Sequence, residues 1–298
     1  MIQEHDPLSD SEITVYDNTM IKAFLSCPRY FYWRHERHLD TLGKSIPLAF
    51  GIAMHSGLDA YFQAHLDEKN ESDQVVAAIE AFVELFTIPG DDKRNLDNGI
   101  RILQNYIKQH PVAKEHWAVE EVEKVFEIVL DPTRRLHFFG RIDLIIHWPG
   151  YGHIVVDHKT ASWISDNYMK AHATDRQFSG YVVAMGETYQ KVYGAMVNIL
   201  EVPKTLTREP KVVRELVTKN KYDKAIWTLD TLNIIEQIGH CKSKNVWPMN
   251  APFYCTAWNR MCEYFDLCSS HQHPEDVSID ESRFVESPWT PFLSEVTK

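Results

Sequence analysis

The chain reads Gly140-Arg141-Ile142-Asp143-Leu144-Ile145 and, after a Pro-Gly turn, Ile154-Val155-Val156-Asp157-His158-Lys159-Thr160. Both runs have the apolar, β-branched character of buried strands, yet each carries an acid. Asp143 and Asp157 each lie seven residues from Gly150 in the turn, so a simple antiparallel hairpin places them opposite each other, with Cβ atoms about 4.5–5.5 Å apart. Two opposed carboxylates repel each other, which predicts a positive group between them.

The alternation of side chains along the second strand adds a lysine to the same site. Because successive residues of a strand point to opposite faces, Asp157 and Lys159 share one face and His158 takes the other. A divalent metal ion satisfies two carboxylates, and an unpaired buried carboxylate is costly enough to require such a partner. Two alternatives stay open. A register shift of one residue would turn Asp143 away, and each acid could instead be an edge residue facing water, with Lys159 as its surface partner.

Three motifs, in this order, resemble a known family: Gly140-Arg141-Ile142-Asp143, Val155-Val156-Asp157-His158-Lys159-Thr160 and Gln177-Phe178-Ser179-Gly180-Tyr181. Together they resemble the core of the PD-(D/E)XK nucleases in their RecB-like branch. The resemblance implies an α/β fold with a restriction-endonuclease-like core, in which a mixed central sheet is flanked by helices. It also makes Asp143, Asp157 and Lys159 catalytic, with the two acids binding metal. Asp157 stands where many members have Glu, and both residues donate oxygen.

Further residues join the site through the same resemblance. The helix that contains His55 resembles the family segment that supplies a histidine ligand. His55 and the backbone carbonyl of His158 are therefore expected to complete a site for one or two Mg²⁺ or Mn²⁺ ions. Gln177 and Tyr181 are four residues apart, so they share one face of a helix, and the resemblance makes them DNA contacts. The alternatives are a structural role for His55 and a place in the core for Tyr181.

Five cysteines give an independent signal: Cys27, Cys241, Cys255, Cys262 and Cys268. With no secretion signal before the first, disulfides are not expected, and clustered thiols in a reducing compartment indicate a metal. Three close cysteines and a distant Cys27 resemble the iron–sulfur clasp of RecB-like nucleases such as the AddB proteins and the iron–sulfur CRISPR-associated nucleases. This resemblance implies one [4Fe–4S] cluster on Cys27, Cys255, Cys262 and Cys268. Zinc is the alternative metal, and Cys241 is interpreted as a spare thiol.

The composition is that of an intracellular enzyme rather than of a protein that coats nucleic acid. The 298 residues are 44% hydrophobic and carry a formal net charge of −11. The longest apolar runs are too short to cross a bilayer, so no membrane partner is expected. A cytoplasmic location is expected, and the resemblance implies a bacterial or phage type of protein. Aromatic and basic side chains alternate between Arg29 and Lys44. We interpret Arg29 and Tyr30, together with Arg141 of the first motif, as candidate DNA contacts. The same run also fits a helix with a buried aromatic face.

Residue patterning predicts a flexible arm over residues 1–18, a single nuclease domain over 19–268 and a polar acidic tail over 269–298. The domain is expected to hold an N-terminal helical insertion at about 60–115 and cluster ligands at both of its ends. A largely helical stretch is predicted from Met20 to Gln109, including a helix at Ser72–Phe86, and a later helix at Tyr222–Ile238. The predicted strands are Val119–Leu130, Leu136–Trp148, His153–Lys159, Tyr193–Val202 and Val212–Thr218.

These features favour a metal-dependent DNA exonuclease that hydrolyses phosphodiester bonds and prefers single-stranded or frayed ends. The resemblance implies a role in DNA recombination, repair, replication or phage DNA metabolism, with DNA and recombination or replication proteins as partners. One alternative is a DNA endonuclease of the same fold. The other is a non-catalytic, cluster-stabilised DNA-binding module. The intact Asp143, Asp157 and Lys159 set argues against this second alternative, because a dead site has no reason to keep opposed carboxylates in apolar strands.

Overall fold

A computed structural model of the chain describes residues 13–205, 207–257 and 260–289. Its strands are β1 Thr14–Asp17, β2 Leu39–Thr41, β3 Ala118–Asp131, β4 Leu136–Trp148, β5 Gly152–Ala161, β6 Val192–Glu201, β7 Val212–Thr218 and β8 Phe284–Glu286. Its α-helices are α1 Asn18–Ser26, α2 Pro28–Phe31, α3 Ile46–Leu66, α4 Glu71–Leu85, α5 Leu96–Gln109, α6 Asp166–Ala171, α7 Arg176–Thr188, α8 Lys221–Lys244 and α9 Phe265–Cys268.

A mixed six-stranded sheet confirms the predicted α/β class. The strand order is β1-β4-β5-β6-β7, and β3 pairs with β4 off this path. Strands β4 and β5 are antiparallel, as are β6 and β7, whereas β5 and β6 are parallel. A parallel pair cannot be joined by a tight turn, and the chain accordingly passes through α6 and α7 between β5 and β6.

The predicted strands and helices compare closely with those observed. All five predicted strands form, and the bounds agree within two residues. The predicted helical stretch from Met20 to Gln109 is interrupted by the short strand β2 and by loops. Helix α8 extends beyond the predicted end at Ile238 to Lys244, and its last turn carries Lys242 and Lys244, which interact favourably with the carboxyl end of a helix dipole.

The chain divides by contacts into two compact units. One is built from Lys44–Phe126 and Arg141–Trp227. Its hydrophobic core packs buried residues of α3, α4 and α5 with residues of the sheet such as Leu144, Ile154 and Met196. Close approach of α3 and α4 depends on Gly57, because a Cβ there would lie 2.9 Å from the carbonyl oxygen of Ala78.

The other unit consists of the described parts of Met1–Gly43, Glu127–Gly140 and Thr228–Lys298. In it, β1 pairs in parallel with the first residues of β4, and β2 pairs antiparallel with β8. Strand β1 lies within the predicted arm and β8 within the predicted tail, while residues 1–12 and 290–298 lie outside the described residues. The division into arm, single domain with a helical insertion, and tail stays a prediction.

In the described part of the chain, every helix is too short or too polar to traverse a lipid bilayer.

Candidate active site

The hairpin of β4 and β5 brings the two predicted acids together. Its register pairs Leu144 with Val156 and Trp148 with Gly152, so the predicted register centred on Gly150 is confirmed. Gly150 and Gly152 have φ angles of +87° and +98°. Residues other than glycine rarely adopt this left-handed backbone conformation. The ladder ends at Leu144 and Val156, one step before the acids would pair.

Asp143 takes a hydrogen bond from the neighbouring strand where the ladder ends. The main-chain N–H of His158 donates to Asp143 Oδ2 over 2.7 Å, so the carboxylate replaces a backbone acceptor. His55 Nδ1, on helix α3, lies 3.3 Å from the same oxygen. Burial raises the pKa of Asp143, but the charge and hydrogen bond of His55, together with the charges of His158 and Lys159, outweigh burial and hold the pKa well below its usual value. Asp143 is therefore a carboxylate at neutral pH.

The pKa of His55 is shifted in the opposite direction. Burial lowers the pKa of His55, while the Asp143 carboxylate raises it by charge and by hydrogen bonding, and the net pKa lies above the usual value. The predicted ligand His55 and the predicted ligand Asp143 thus form a charged pair. The imidazole of His55 thus lies beside Asp143, and its role as a metal ligand stays a prediction.

Asp157 is the most deeply buried charge of the site, with 1% of its surface exposed. Burial raises its pKa, the Lys159 ammonium lowers it and the charge of Asp143 raises it, so that the net pKa is about 6. Lys159 Nζ lies 2.7 Å from Asp157 Oδ2. Burial lowers the pKa of Lys159, but the two carboxylates outweigh burial and raise it, so this lysine is a cation at neutral pH.

Helix α7 supplies the other partner of Asp157. The helix begins after Asp175, whose Oδ1 accepts a hydrogen bond from Gln177 N over 2.9 Å. Gln177 Nε2 then donates to Asp157 Oδ1 over 3.0 Å and to the Tyr181 hydroxyl over 2.5 Å. The Tyr181 ring packs edge-on against Phe126 and is 7% exposed. Gln177 therefore contacts the candidate catalytic acid and Tyr181 packs in the core, and the role of both residues as DNA contacts stays a prediction.

The side chain of His158 points away from the acids. Its ring stacks on Phe62 with centroids 5.7 Å apart, and its Nδ1 lies 2.8 Å from Asn198 Nδ2. Burial lowers the pKa of His158 to about 3, so the ring is neutral. The predicted alternation along β5 is confirmed, because Asp157 and His158 contact different layers. The predicted role of the His158 carbonyl as a metal ligand stays a prediction.

Sequence reasoning missed a second acidic pair beside Asp143. Asp59 lies one turn after His55 on α3 and shares a hydrogen bond with Glu123 of β3. Burial raises the pKa of Asp59 well above its usual value, and the charges of Glu123 and Asp143 raise it further. Arg141 Nη1 lies 2.7 Å from Glu123 Oε2, so this candidate DNA contact is engaged with the acidic pair. The four-residue spacing of His55 and Asp59 was the available signal.

The donor set of the acids fits a hard divalent cation. It offers two carboxylates and an imidazole, and Asp157 Oδ2 is buried without a well-aligned hydrogen bond despite its contact with Lys159. Mg²⁺ and Mn²⁺ prefer oxygen ligands. In the described residues, however, no three His, Cys, Asp or Glu side chains are arranged as a ready-made metal site. The present geometry has Lys159 against the acid that would bind the ion.

Comparison with known proteins shows the family of this chain. The sequence profile of the PD-(D/E)XK nuclease superfamily matches residues 18–269. The chain belongs to the PD-(D/E)XK nuclease superfamily. It is thereby a nuclease by family, with DNA as the substrate that the family implies and divalent metal ions as the cofactors that its members generally use.

Two solved structures were compared with this chain, and the first of them has a similar fold at low sequence identity. A candidate exonuclease from Eubacterium rectale is 16% identical, with a TM-score of 0.52, over 87% of this chain and 92% of that one. The crystal structure of SSO0001 is 12% identical, with a TM-score of 0.30, over 63% of this chain and 87% of that one. The second likeness is too loose to bear on the fold. No curated protein matches the sequence.

Four cysteines of this nuclease act on one another electrostatically. They are Cys27, Cys255, Cys262 and Cys268, here called the cysteine cluster. Burial raises the pKa of Cys262 to about 12, and the thiols of Cys268 and Cys255 raise it as well. Burial likewise raises the pKa of Cys268, which also responds to Cys27 and Cys255. Two of the sulfurs accept hydrogen bonds, from Trp33 Nε1 to Cys268 Sγ over 3.3 Å and from Asn250 N to Cys27 Sγ over 3.4 Å.

The two candidate DNA contacts near the amino terminus form hydrogen bonds with other residues of the protein. Arg29 Nε donates to the carbonyl oxygen of Trp247 over 2.9 Å. The Tyr30 hydroxyl donates to Glu263 Oε1 over 2.9 Å, and its ring contacts Tyr254 and Tyr264. These contacts give both side chains a structural role, and their role in DNA binding stays a prediction.

Proposed function

We propose that this protein is a metal-dependent DNA exonuclease that hydrolyses phosphodiester bonds and prefers single-stranded or frayed ends. The observation that carries the proposal is the buried pair Asp143 and Asp157 with the Lys159 ammonium 2.7 Å from Asp157. Membership of the PD-(D/E)XK superfamily supports nuclease chemistry. The preference for ends draws on the description of the Eubacterium rectale protein as a candidate exonuclease, whose low identity conveys fold similarity alone.

The cation is proposed to be Mg²⁺ or Mn²⁺. Its ligands would be the Asp143 and Asp157 carboxylates, the His55 imidazole and the backbone carbonyl of His158. When bound, such an ion lowers the pKa of water and neutralises negative charge that develops on the phosphate. The separated acidities of the two carboxylates support this assignment, because a cation would stabilise Asp157 in the charged form that burial opposes.

The lysine is assigned an electrostatic role. A raised pKa keeps Lys159 protonated, so it cannot accept the proton of an attacking water at neutral pH. A fixed ammonium instead stabilises the negative charge of the transition state. Gln177 holds this arrangement, because its amide contacts both Asp157 Oδ1, over 3.0 Å, and Lys159 Nζ, over 3.5 Å.

Linear and covalently closed circular single strands separate the proposal from its alternatives. With Mg²⁺ or Mn²⁺ present, the protein is expected to degrade the end-labelled linear strand and to leave the circle intact. Equal cutting of the circle would assign an endonuclease. Binding of both substrates without cutting, in every divalent ion tried, would assign a non-catalytic DNA-binding module. Asp143→Asn is the matched inactive control and Asp92→Asn, whose side chain is 84% exposed, is the active one.

We also propose that the cysteine cluster holds one [4Fe–4S] cluster with a structural role. Support comes from the influence of the neighbouring thiols on the pKa of Cys262 and of Cys268, and from the N–H donors at Cys27 and Cys268. N–H donors to sulfur are among the contacts that tune iron–sulfur clusters. Iron and sulfide analysis of anaerobically purified protein tests the assignment, and zinc in place of iron would overturn it. We place the protein inside the cell, where cysteines stay reduced. Its proposed role is in DNA recombination, repair or phage DNA metabolism.

A further inference from the structure

The segment Ser162–Asp175, which joins β5 to α7, stands next to the catalytic lysine and takes no part in the chemistry described above. Trp163 follows Lys159 by four residues and is 71% exposed. Four residues of extended chain span at most about 14 Å, which is the length of about four stacked nucleotides. An exposed indole is thus placed within a few nucleotides of the bond to be cut.

Hydrogen bonds hold the first residues of this segment in place. Arg94 Nη2 donates to Ser162 Oγ over 2.9 Å, and the Arg94 guanidinium also contacts Asp91. Ser165 Oγ accepts a hydrogen bond from Tyr168 N over 3.2 Å at the start of α6. The position of Trp163 between two anchored serines means that little conformational freedom remains to be lost when a ligand contacts its ring.

The outer part of the segment is open. Helix α6 has no buried residue, although a short helix normally needs a packed face to be stable. Tyr168 of α6 is half-buried, its ring contacts His172 with centroids 4.9 Å apart, and His172 in turn contacts Phe178 of α7. Besides burial, the charges of Lys159 and Asp157 act on the Tyr168 phenol, so this phenol lies within electrostatic range of both residues.

A positive group lies against the far end of the segment. Lys219 Nζ donates to the carbonyl oxygen of Ala173 over 2.7 Å, and Lys170 of α6 is exposed. In a chain with a formal net charge of −11, the basic side chains on and against this segment offer the local attraction that a phosphate backbone requires. Aromatic rings and basic side chains together are typical of protein surfaces that bind single-stranded nucleic acid.

We propose that Ser162–Asp175 is the strand-holding wall of the active site and that Trp163 stacks on an unpaired base of the DNA strand being cut. This inference rests on the proposed nuclease function and adds a substrate contact to it. Stacking needs a base that is free of its partner, so Trp163 favours single-stranded or frayed DNA over intact duplex. Sequence preference is weak, because every base has a ring face to offer.

Binding of a fluorescently labelled single strand tests this, measured by anisotropy in chelator with Asp157→Asn as the common background. Trp163→Ala is expected to raise the Kd about tenfold, and Trp163→Phe, which keeps a ring, is expected to restore most of the affinity. Phe253→Ala removes an aromatic ring that is 81% exposed elsewhere and should leave the Kd within about twofold. Unchanged binding by Trp163→Ala would overturn the proposal and leave the exposed indole to a protein partner.

Oligonucleotides with a single abasic residue at successive positions from the end give the second measurement. In the background protein, one position is expected to weaken binding about tenfold, and Trp163→Ala should abolish that position effect. The same position effect in both proteins would refute stacking on Trp163. If the wild-type protein cuts DNA while Trp163→Ala binds normally, this inference alone fails. If the wild-type protein neither cuts nor binds DNA, the proposed function fails with it.

Discussion

Replacing Asp157 by Asn separates the chemistry of the site from its cost to the fold. The Asp157 side chain is 1% exposed, and burial followed by the Lys159 and Asp143 charges moves its pKa from 3.8 to about 6. Because the folded protein binds this proton more tightly than the unfolded chain, stability falls as the pH rises from 3.8 to about 6 and is level above it. At 1.36 kcal/mol for each pKa unit, the ionised group costs about 3 kcal/mol at pH 8.

Asparagine removes most of that cost. Its carbonyl oxygen can still accept the hydrogen bond from Gln177 Nε2, which Asp157 Oδ1 accepts in the parent. An amide offers one acceptor where the carboxylate offers two, so Lys159 loses its contact, at a cost of about 1 kcal/mol. The net expectation in metal-free protein at pH 8 is a gain of about 2 kcal/mol in the free energy of unfolding, together with complete loss of DNA cleavage.

The assay is urea unfolding in chelator at several pH values, beside cleavage of end-labelled DNA with Mg²⁺ or Mn²⁺. Relative to Asp157→Asn, the parent should lose about 1.4 kcal/mol between pH 5 and pH 8. Asp92→Asn, at a side chain 84% exposed, should change stability by less than about 0.5 kcal/mol. An Asp157→Asn protein less stable than the parent at pH 8 would refute the electrostatic reasoning. Normal cleavage by that protein would refute the catalytic assignment.

Three further predictions concern the rest of the chain. Both ring nitrogens of His35 are buried without a hydrogen-bond partner, and burial lowers its pKa to about 3. Below pH 6.5 only the unfolded chain takes up this proton, so His35 should cost the parent about 1.4 kcal/mol of stability between pH 7.5 and pH 5.5. His35→Phe should remove this loss, and an unchanged dependence of stability on pH in thermal or urea unfolding would contradict the prediction. Cys268→Ser should lower bound iron and soluble yield together, whereas Cys241→Ser should change neither, and equal iron content in both proteins would remove Cys268 from the ligand set. Gly99→Ala should lower the free energy of unfolding by about 2 kcal/mol, because its Cβ would lie 2.0 Å from the ring of Phe82; Gly239→Ala, with open space around it, is the control, and equal stability of the two variants would refute the packing argument.

The sequence by itself determined the hairpin and the positions of the acids on it. Two apolar runs, a Pro-Gly turn and the alternation of side chains along a strand are local properties, and they were sufficient to give the register that pairs Leu144 with Val156. The same locality predicted helix α7 and placed Gln177 and Tyr181 on one of its faces.

Only the tertiary structure decided how those residues differ from one another. Asp143 and Asp157 are equivalent in the sequence pattern, yet one meets His55 and a backbone N–H while the other is buried beside Lys159. Their acidities are therefore displaced in opposite directions.

The same limit applies to Arg29 and Tyr30, whose alternating pattern fits DNA contacts but whose partners are the backbone of Trp247 and the carboxylate of Glu263. Residues that lie far apart in the chain supply these partners. Local periodicity fixes which way a side chain points along its own strand or helix. The charges, the burial and the hydrogen bonds that set its chemistry come from segments that only folding brings near.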